Sequence, residues 1–380
     1  MPLLKQRQHS IYTQEEEAER EDKMASFGID GEIEQRYRIL RHIGSGAYGV
    51  VWCALDRHTN KQVALKKVFD AFGNQQDAQR TYREVMLLQG LTDNKQVVGL
   101  LNVIRAVNNI DLYLVFDLSE TDLAVVLKKK ILQDAHRKFL TYQIIRITAQ
   151  LHAMRIIHRD LKPSNVFVNT DCTICLGDFG LARTFKTNTG AKGEPVTDLT
   201  EYIATRWYRS PEILVKSNMY TTAMDMWAIG CIVAELFLNQ PLFAGNSTVH
   251  QLQLIVATTG EPTKKDVDSL HSNEAWALID SLPVEIESDP LADILADADP
   301  DALDLVQKLI VFNPKQRLTA MEALRHPYIA AFVTAEDLAN IAKLSPLVLP
   351  LPDEKQFKAR EYKAALYEQI KMVYRTKDHL

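Results

Sequence analysis

The apolar positions change their spacing near residue 117. Before that point, short β-rich runs separated by turns cover residues 37–43, 49–55 and 62–68, with Asn60 and Lys61 at a hairpin tip. Residues 77–89 read as one helix, with Val85, Leu87 and Leu88 on its apolar side; further strands are expected at 100–106 and 111–116. After Asp117 helical spacing takes over. Asp134 is expected to cap a helix reaching Met154, with Phe139, Ile144, Ile147 and Leu151 on one side. Residues 224–237 are almost wholly apolar, as in a helix buried all round. The pattern predicts an α+β chain, a small β-rich lobe followed by a larger, mainly helical one.

Composition narrows the partners. The 380 residues carry 44 Lys and Arg against 49 Asp and Glu, a net charge of −5, which argues against a nucleic-acid partner. That average is uneven: residues 261–304 hold 2 basic and 13 acidic residues, and residues 1–30 hold 4 and 7, so the remainder is basic. No run of about 18 apolar residues is long enough to span a membrane, and no signal-peptide pattern opens the chain. The expectation is an intracellular protein, cytoplasmic and also open to the nucleus. Four cysteines are too few for a disulfide scaffold. Cys172 and Cys175 have zinc-knuckle spacing but no second ligand pair, so they are expected to be buried strand residues.

Three sets of residues carry chemistry. Gly44-Ser45-Gly46-Ala47-Tyr48-Gly49-Val50 lies between two strands rather than between a strand and a helix. Its glycines are therefore read as a hairpin cap over which backbone can approach phosphates. Lys66, on the next strand within Val63-Ala64-Leu65-Lys66, has a candidate partner in Glu84 on the following helix. His158-Arg159-Asp160-Leu161-Lys162-Pro163-Ser164-Asn165, Asp178-Phe179-Gly180 and Ser210-Pro211-Glu212 then follow in order.

Taken together, these motifs resemble the protein-kinase signature set over residues 37–330. The resemblance implies the bilobal protein-kinase fold. Residues 31–116 would form the N-lobe, 117–120 the hinge and 121–330 the C-lobe with its acidic insert at 261–304. Residues 1–30 would be a polar tail, and 331–380 an extension packing back on the N-lobe. It implies ATP as phosphoryl donor, held by Ile43, Gly44, Ser45, Gly46, Ala47, Tyr48, Gly49, Val50, Val51, Ala64, Lys66, Phe116, Asp117 and Leu118. Mg²⁺ would be held by Asn165 and Asp178. Asp160 would accept the hydroxyl proton, Lys162 would neutralise the moving phosphoryl, and Glu84 would hold Lys66. Glu212 would pair with Arg317 as a structural ion pair. A scaffold that had lost catalysis would lack Lys66, Asp160, Asn165 or Asp178; all four are present.

Leu199-Thr200-Glu201-Tyr202-Ile203-Ala204-Thr205-Arg206-Trp207-Tyr208-Arg209 is similar to the activation loop of mitogen-activated protein kinases of the extracellular signal-regulated, Thr-Glu-Tyr type. The segments 66–72, 77–84 and 113–117 bring it nearest to the atypical seven and eight branch. That likeness implies a proline-directed Ser/Thr kinase, expected as a monomer, acting on proteins with Ser/Thr-Pro sites. Activation would come through phosphorylation of Thr200 and Tyr202, by an upstream kinase or by the protein itself. Arg83, Arg159 and Arg183 would gather the phosphate on Thr200, and Arg206 and Arg209 that on Tyr202. Two departures stand out. Gly177 precedes Asp178, and only Glu336 and Asp337 remain where the family places an acidic docking cluster.

Overall fold

The computed structural model describes residues 28–46, 49–185, 206–217, 219, 221–282, 290–353 and 355–374. Thr200 and Tyr202, together with Ala47 and Tyr48 of the glycine segment, lie outside the described residues. The chain divides into two compact units: residues 1–73, 100–118 and 370–380 form one, residues 74–99 and 119–369 the other.

The first unit is a five-stranded antiparallel sheet preceded by a short helix, α1 (Gly31–Arg36). Its strands are β1 (Tyr37–Gly46), β2 (Gly49–Asp56), β3 (Lys61–Val68), β4 (Leu100–Arg105) and β5 (Leu112–Asp117), ordered β1-β2-β3-β5-β4. Strand period two divides the side chains between two faces. Val50, Trp52, Ala54, Val63, Leu65, Tyr113 and Val115 bury one face under Ile33 and Tyr37. On the other, Val51 lies opposite Lys66 and Lys66 opposite Leu114, with Ala64 paired to Cys53 and to Phe116. Lys67 anchors the edge of the buried face. Its ammonium pairs with Asp111 at 3.4 Å and donates to the Gly28 carbonyl at 2.6 Å, lying over the Tyr113 ring.

The second unit is mainly helical. Helix α2 (Gln75–Gly90) begins at Asn74, whose side chain accepts from the Asp77 amide. Strand β6 (Thr121–Asp122), helix α3 (Leu123–Lys128) and helix α4 (Asp134–Ala153) follow. Asp134 opens α4 rather than capping it: the cap is Gln133, whose N–H donates to His136 Nδ1 at 3.1 Å, while Asp134 pairs with Arg137. Short strands β7 (Ile156–Ile157), β8 (Val166–Val168), β9 (Ile174–Leu176) and β10 (Arg183–Thr184) carry the chain to helix α5 (Pro211–Leu214). Helix α6 (Ala223–Leu238) is buried along nearly its whole length, as its composition requires.

The cysteines depart from expectation. Cys53 and Cys231 are buried, whereas Cys175 on β9 and Cys172 in the preceding turn are half-exposed. Among the described residues, no helix is long and apolar enough to cross a membrane.

Arg317 closes the lower part of this unit. Its guanidinium grips Glu212 with two parallel bonds, 2.7 Å to Oε1 and 2.8 Å to Oε2, and also donates to the carbonyls of Val311, Phe312 and Ala223. Both groups are buried, so removing one strands the other's charge in a medium that solvates it poorly. Arg317→Met should lower unfolding free energy by about 3–5 kcal/mol, read from urea denaturation.

Candidate active site

Each unit gathers its share of the expected residues. In the first, β1 and β2 form the hairpin that the glycine segment closes: Gly44 pairs with Val51, Ser45 with Val50 and Gly46 with Gly49. Gly49 has a packing reason to be glycine, since a Cβ there would sit 2.0 Å from the Lys67 carbonyl oxygen. Gly44 and Gly46 have none: among the described residues nothing lies within 4 Å of a Cβ built on either. Val51, Ala64, Lys66 and Phe116 share one sheet face. Ile43 is exposed. Asp117 ends β5 and Leu118 follows it. Val50 is different: its side chain belongs to the buried cluster of the opposite face, so only its backbone can face a nucleotide.

In the second unit, the catalytic loop hangs from one carboxylate. Asp225, on the first turn of α6, accepts from the His158 amide at 2.9 Å, the Arg159 amide at 2.8 Å and His152 Nε2 at 3.0 Å. Arg159 has a positive φ of 68°, a strained backbone for a non-glycine residue. Two amides pointing at one carboxylate explain why it persists. Burial alone would raise the Asp225 pKa, but the His152 bond and charge, with the His158 amide and charge, hold it below the ordinary 3.8. His158 Nε2 contacts the Gly177 carbonyl at 3.0 Å, and its ring meets Phe179 edge-on.

Beyond the loop, Lys162 Nζ lies 2.7 Å from Asp160 Oδ2. Asn165 donates its amide to the Asp160 carbonyl at 2.8 Å and to Oδ2 at 3.0 Å. With the side-chain nitrogen so committed, Asn165 Oδ1 is the atom of that amide that can serve as a hard acceptor. β8 and β9 pair antiparallel, Val166 opposite Leu176, and the Gly177 amide donates to the Asn165 backbone carbonyl at 3.0 Å. Asn165 and Asp178 therefore emerge from the same end of one hairpin. Asp178 itself is left-handed, φ 56°. An amide oxygen and a carboxylate from adjacent strand ends suit a hard cation such as Mg²⁺. Gly177 also finds its explanation here: a Cβ would lie 2.3 Å from Phe167 Cε2.

The five arginines expected to hold phosphates fall on α2, the catalytic loop, β10 and the turn at 206–209. Arg83, on α2, pairs with Asp353 at 2.5 Å. Burial pushes its pKa down, Asp353 pulls it back up, and the neighbouring Arg183 adds a further downward push. Arg159 reaches the Leu181 carbonyl at 3.2 Å, at the start of the same segment. Arg206 donates to the Asn246 carbonyl at 3.1 Å, and the Arg209 amide closes the turn on Arg206. Lys66 and Glu84 fall in different units, on β3 and α2. Neither Asp225 nor Asp353 stands out in the sequence; the one local signal is that Asp225 and Glu235 interrupt the otherwise apolar run 224–237.

The protein kinase domain family matches residues 37–329. The chain is 44% identical over 350 residues to extracellular signal-regulated kinase 2 of Dictyostelium discoideum, covering 91% of this chain and 93% of that one. The chain is a protein kinase of the mitogen-activated family. It is 45% identical to mitogen-activated protein kinase 15 of Xenopus laevis, spanning 59% of that relative's length, and 42% identical to extracellular signal-regulated kinase 7 of Drosophila melanogaster, spanning 37%. As a MAP kinase it is an ATP-dependent Ser/Thr kinase of the bilobal α+β fold.

In this kinase, Asp225→Asn should misplace the catalytic loop and cost about 3 kcal/mol of stability or more. The sign of the pH dependence follows from the lowered pKa. The stability from Asp225 is complete above the ordinary 3.8 and drains away as pH falls through its lower folded value. Acid unfolding of the wild type, followed by circular dichroism, should therefore retain a component below pH 3.8 that the Asn variant lacks.

Proposed function

We propose that this kinase transfers the ATP γ-phosphoryl to Ser or Thr followed by proline in other proteins, and that phosphates on Thr200 and Tyr202 switch it on. The observation that carries the catalytic reading is the cluster of Asp160, Lys162 and Asn165, with Asp178 at the neighbouring strand end. Asp160 Oδ2 accepts from both Lys162 and Asn165, which orients its other oxygen for an incoming hydroxyl proton. Lys162 is held by the same carboxylate, close enough to neutralise the phosphoryl as it moves. Asn165 and Asp178 would hold Mg²⁺, which supplies charge neutralisation along the phosphates. Lys66, with Glu84 as its expected counter-charge, would bind the α- and β-phosphates, while the open backbone at Gly44 and Gly46 admits them closely.

Substrate choice rests on two further points. Arg209 and the segment before it, by likeness to the family, would shape the pocket for proline after the phosphoacceptor. Docking of basic peptides through the 336–337 region has little support. Asp337 is spent internally, accepting from the Tyr142 hydroxyl at 2.9 Å and Thr334 Oγ1 at 2.8 Å and pairing with Arg146 at 2.8 Å. Only Glu336 is left exposed there. The likeness to the seven and eight branch favours self-phosphorylation of the loop over an upstream kinase.

A degenerate peptide array with Mg-ATP tests this reading. Wild type should select proline after Ser or Thr, and Asp160→Asn should lose roughly a hundredfold to ten-thousandfold in kcat. Indifference to the following residue would remove the proline-directed assignment. Purified protein freed of phosphate should regain phosphate on Tyr202 when given Mg-ATP alone, detected by mass spectrometry; none would sink self-activation.

A further inference from the structure

Asp353 lies between the helices Ala335–Ala342 and Ala359–Tyr374, and its carboxylate is almost buried. One oxygen, Oδ1, sits 2.5 Å from Arg83 Nε on α2. The other, Oδ2, accepts the Thr184 amide at 3.1 Å, on β10 beside Arg183. Its own backbone carbonyl takes Gln79 Nε2 at 3.3 Å, one turn earlier on α2. The surrounding segment is pinned to the same helix: the Leu351 amide donates to the Tyr82 hydroxyl at 3.0 Å, and the Tyr362 ring packs 5.5 Å from that of Tyr82. A single carboxylate thus bridges α2 to the strand that leads toward residue 200.

That bridge has the form expected of a phosphate held between Arg83 and Arg183. Arg83 is 4% exposed, and its Nη2 has no hydrogen-bond partner among the described residues. The site therefore offers more donor capacity than one carboxylate uses, and a phosphate brings more oxygens and nearly twice the charge.

We propose that Asp353 is a positioning residue, a built-in carboxylate that ties α2 to β10 in the place of a phosphate. It acts through Arg83 and touches neither substrate nor nucleotide. By holding α2 it holds Glu84, the next residue, so the kinase keeps a basal activity without loop phosphorylation. Phosphothreonine then takes over or adds to a tie already made. The second step rests on reading Thr200 as the regulatory phosphosite.

The test compares phosphatase-treated proteins and proteins carrying phosphoserine placed at position 200 during translation. Without phosphate, Asp353→Asn should lower kcat about tenfold while KM for ATP moves less than about twofold. With phosphoserine at 200, the Asn variant should come within about threefold of the equally modified wild type. No loss, a gain in activity, or an equal loss with and without phosphoserine would overturn the proposal. A gain would mean that the carboxylate blocks the site rather than serving it. A second pair, Asp353→Glu and Asp353→Gln, matches size and differs in charge, with thermal melting of all variants confirming that they fold. A Glu variant no more active than the Gln one overturns it as well. Failure of the Thr200 reading would appear elsewhere: the wild type would respond to phosphoserine at 200 with no change, a comparison in which residue 353 is constant.

Discussion

A backbone with positive φ at Arg159 is costly, and the loop that carries Asp160, Lys162 and Asn165 adopts it because Asp225 binds the amide of Arg159 and that of His158 before it. The carboxylate is itself buried, which would be unfavourable were it not for His152 and the two amides. The chemistry of the loop is thereby tied to α6, a helix buried along nearly its whole length. Asp160 does not have to be ordered by substrate; its position is inherited from α6.

The same logic recurs one layer out. Glu212, three residues after Arg209, is locked by Arg317, and Tyr208 donates to Glu235 on α6 at 2.7 Å. Burial raises the pKa of both Tyr208 and Glu235, so this hydroxyl–carboxyl pair gains from remaining hydrogen-bonded and dry. Trp207 meanwhile donates to the Gly245 carbonyl. The segment expected to receive substrate is thus fixed at Trp207, Tyr208 and Glu212, each through a different physical device.

Much of this could be read from the chain alone, for identifiable reasons. Strand alternation around Val63–Lys66 and the apolar run at 224–237 are local signals, and local signals survive without coordinates. The ordered motifs from Gly44 to Arg317 carried the catalytic reading because phosphoryl transfer restricts residue type at each step. What escaped were pairings across long stretches of chain. Asp353 meets Arg83 from 270 residues away, and nothing near either residue announces the other. Asp225 sits in a run whose apolar composition says nothing of its partners His152, His158 and Arg159. Asp337 looked like a docking acid, yet the Thr334 cap, Tyr142 and Arg146 consume it. Helix ends also moved by a residue or two, as at Gln133, where a neighbouring His served the cap in place of the expected Asp.

A Cβ at Gly177 would meet the end of the Phe167 ring on β8 at 2.3 Å, so a side chain there requires that ring to move. For the history of this kinase, that contact orders events. A lineage can shrink residue 167 first and then enlarge residue 177, or run the reverse path from a small 167 and a small 177. A large side chain at both demands a shifted ring at 167, so a change at one position alters what the other can accept.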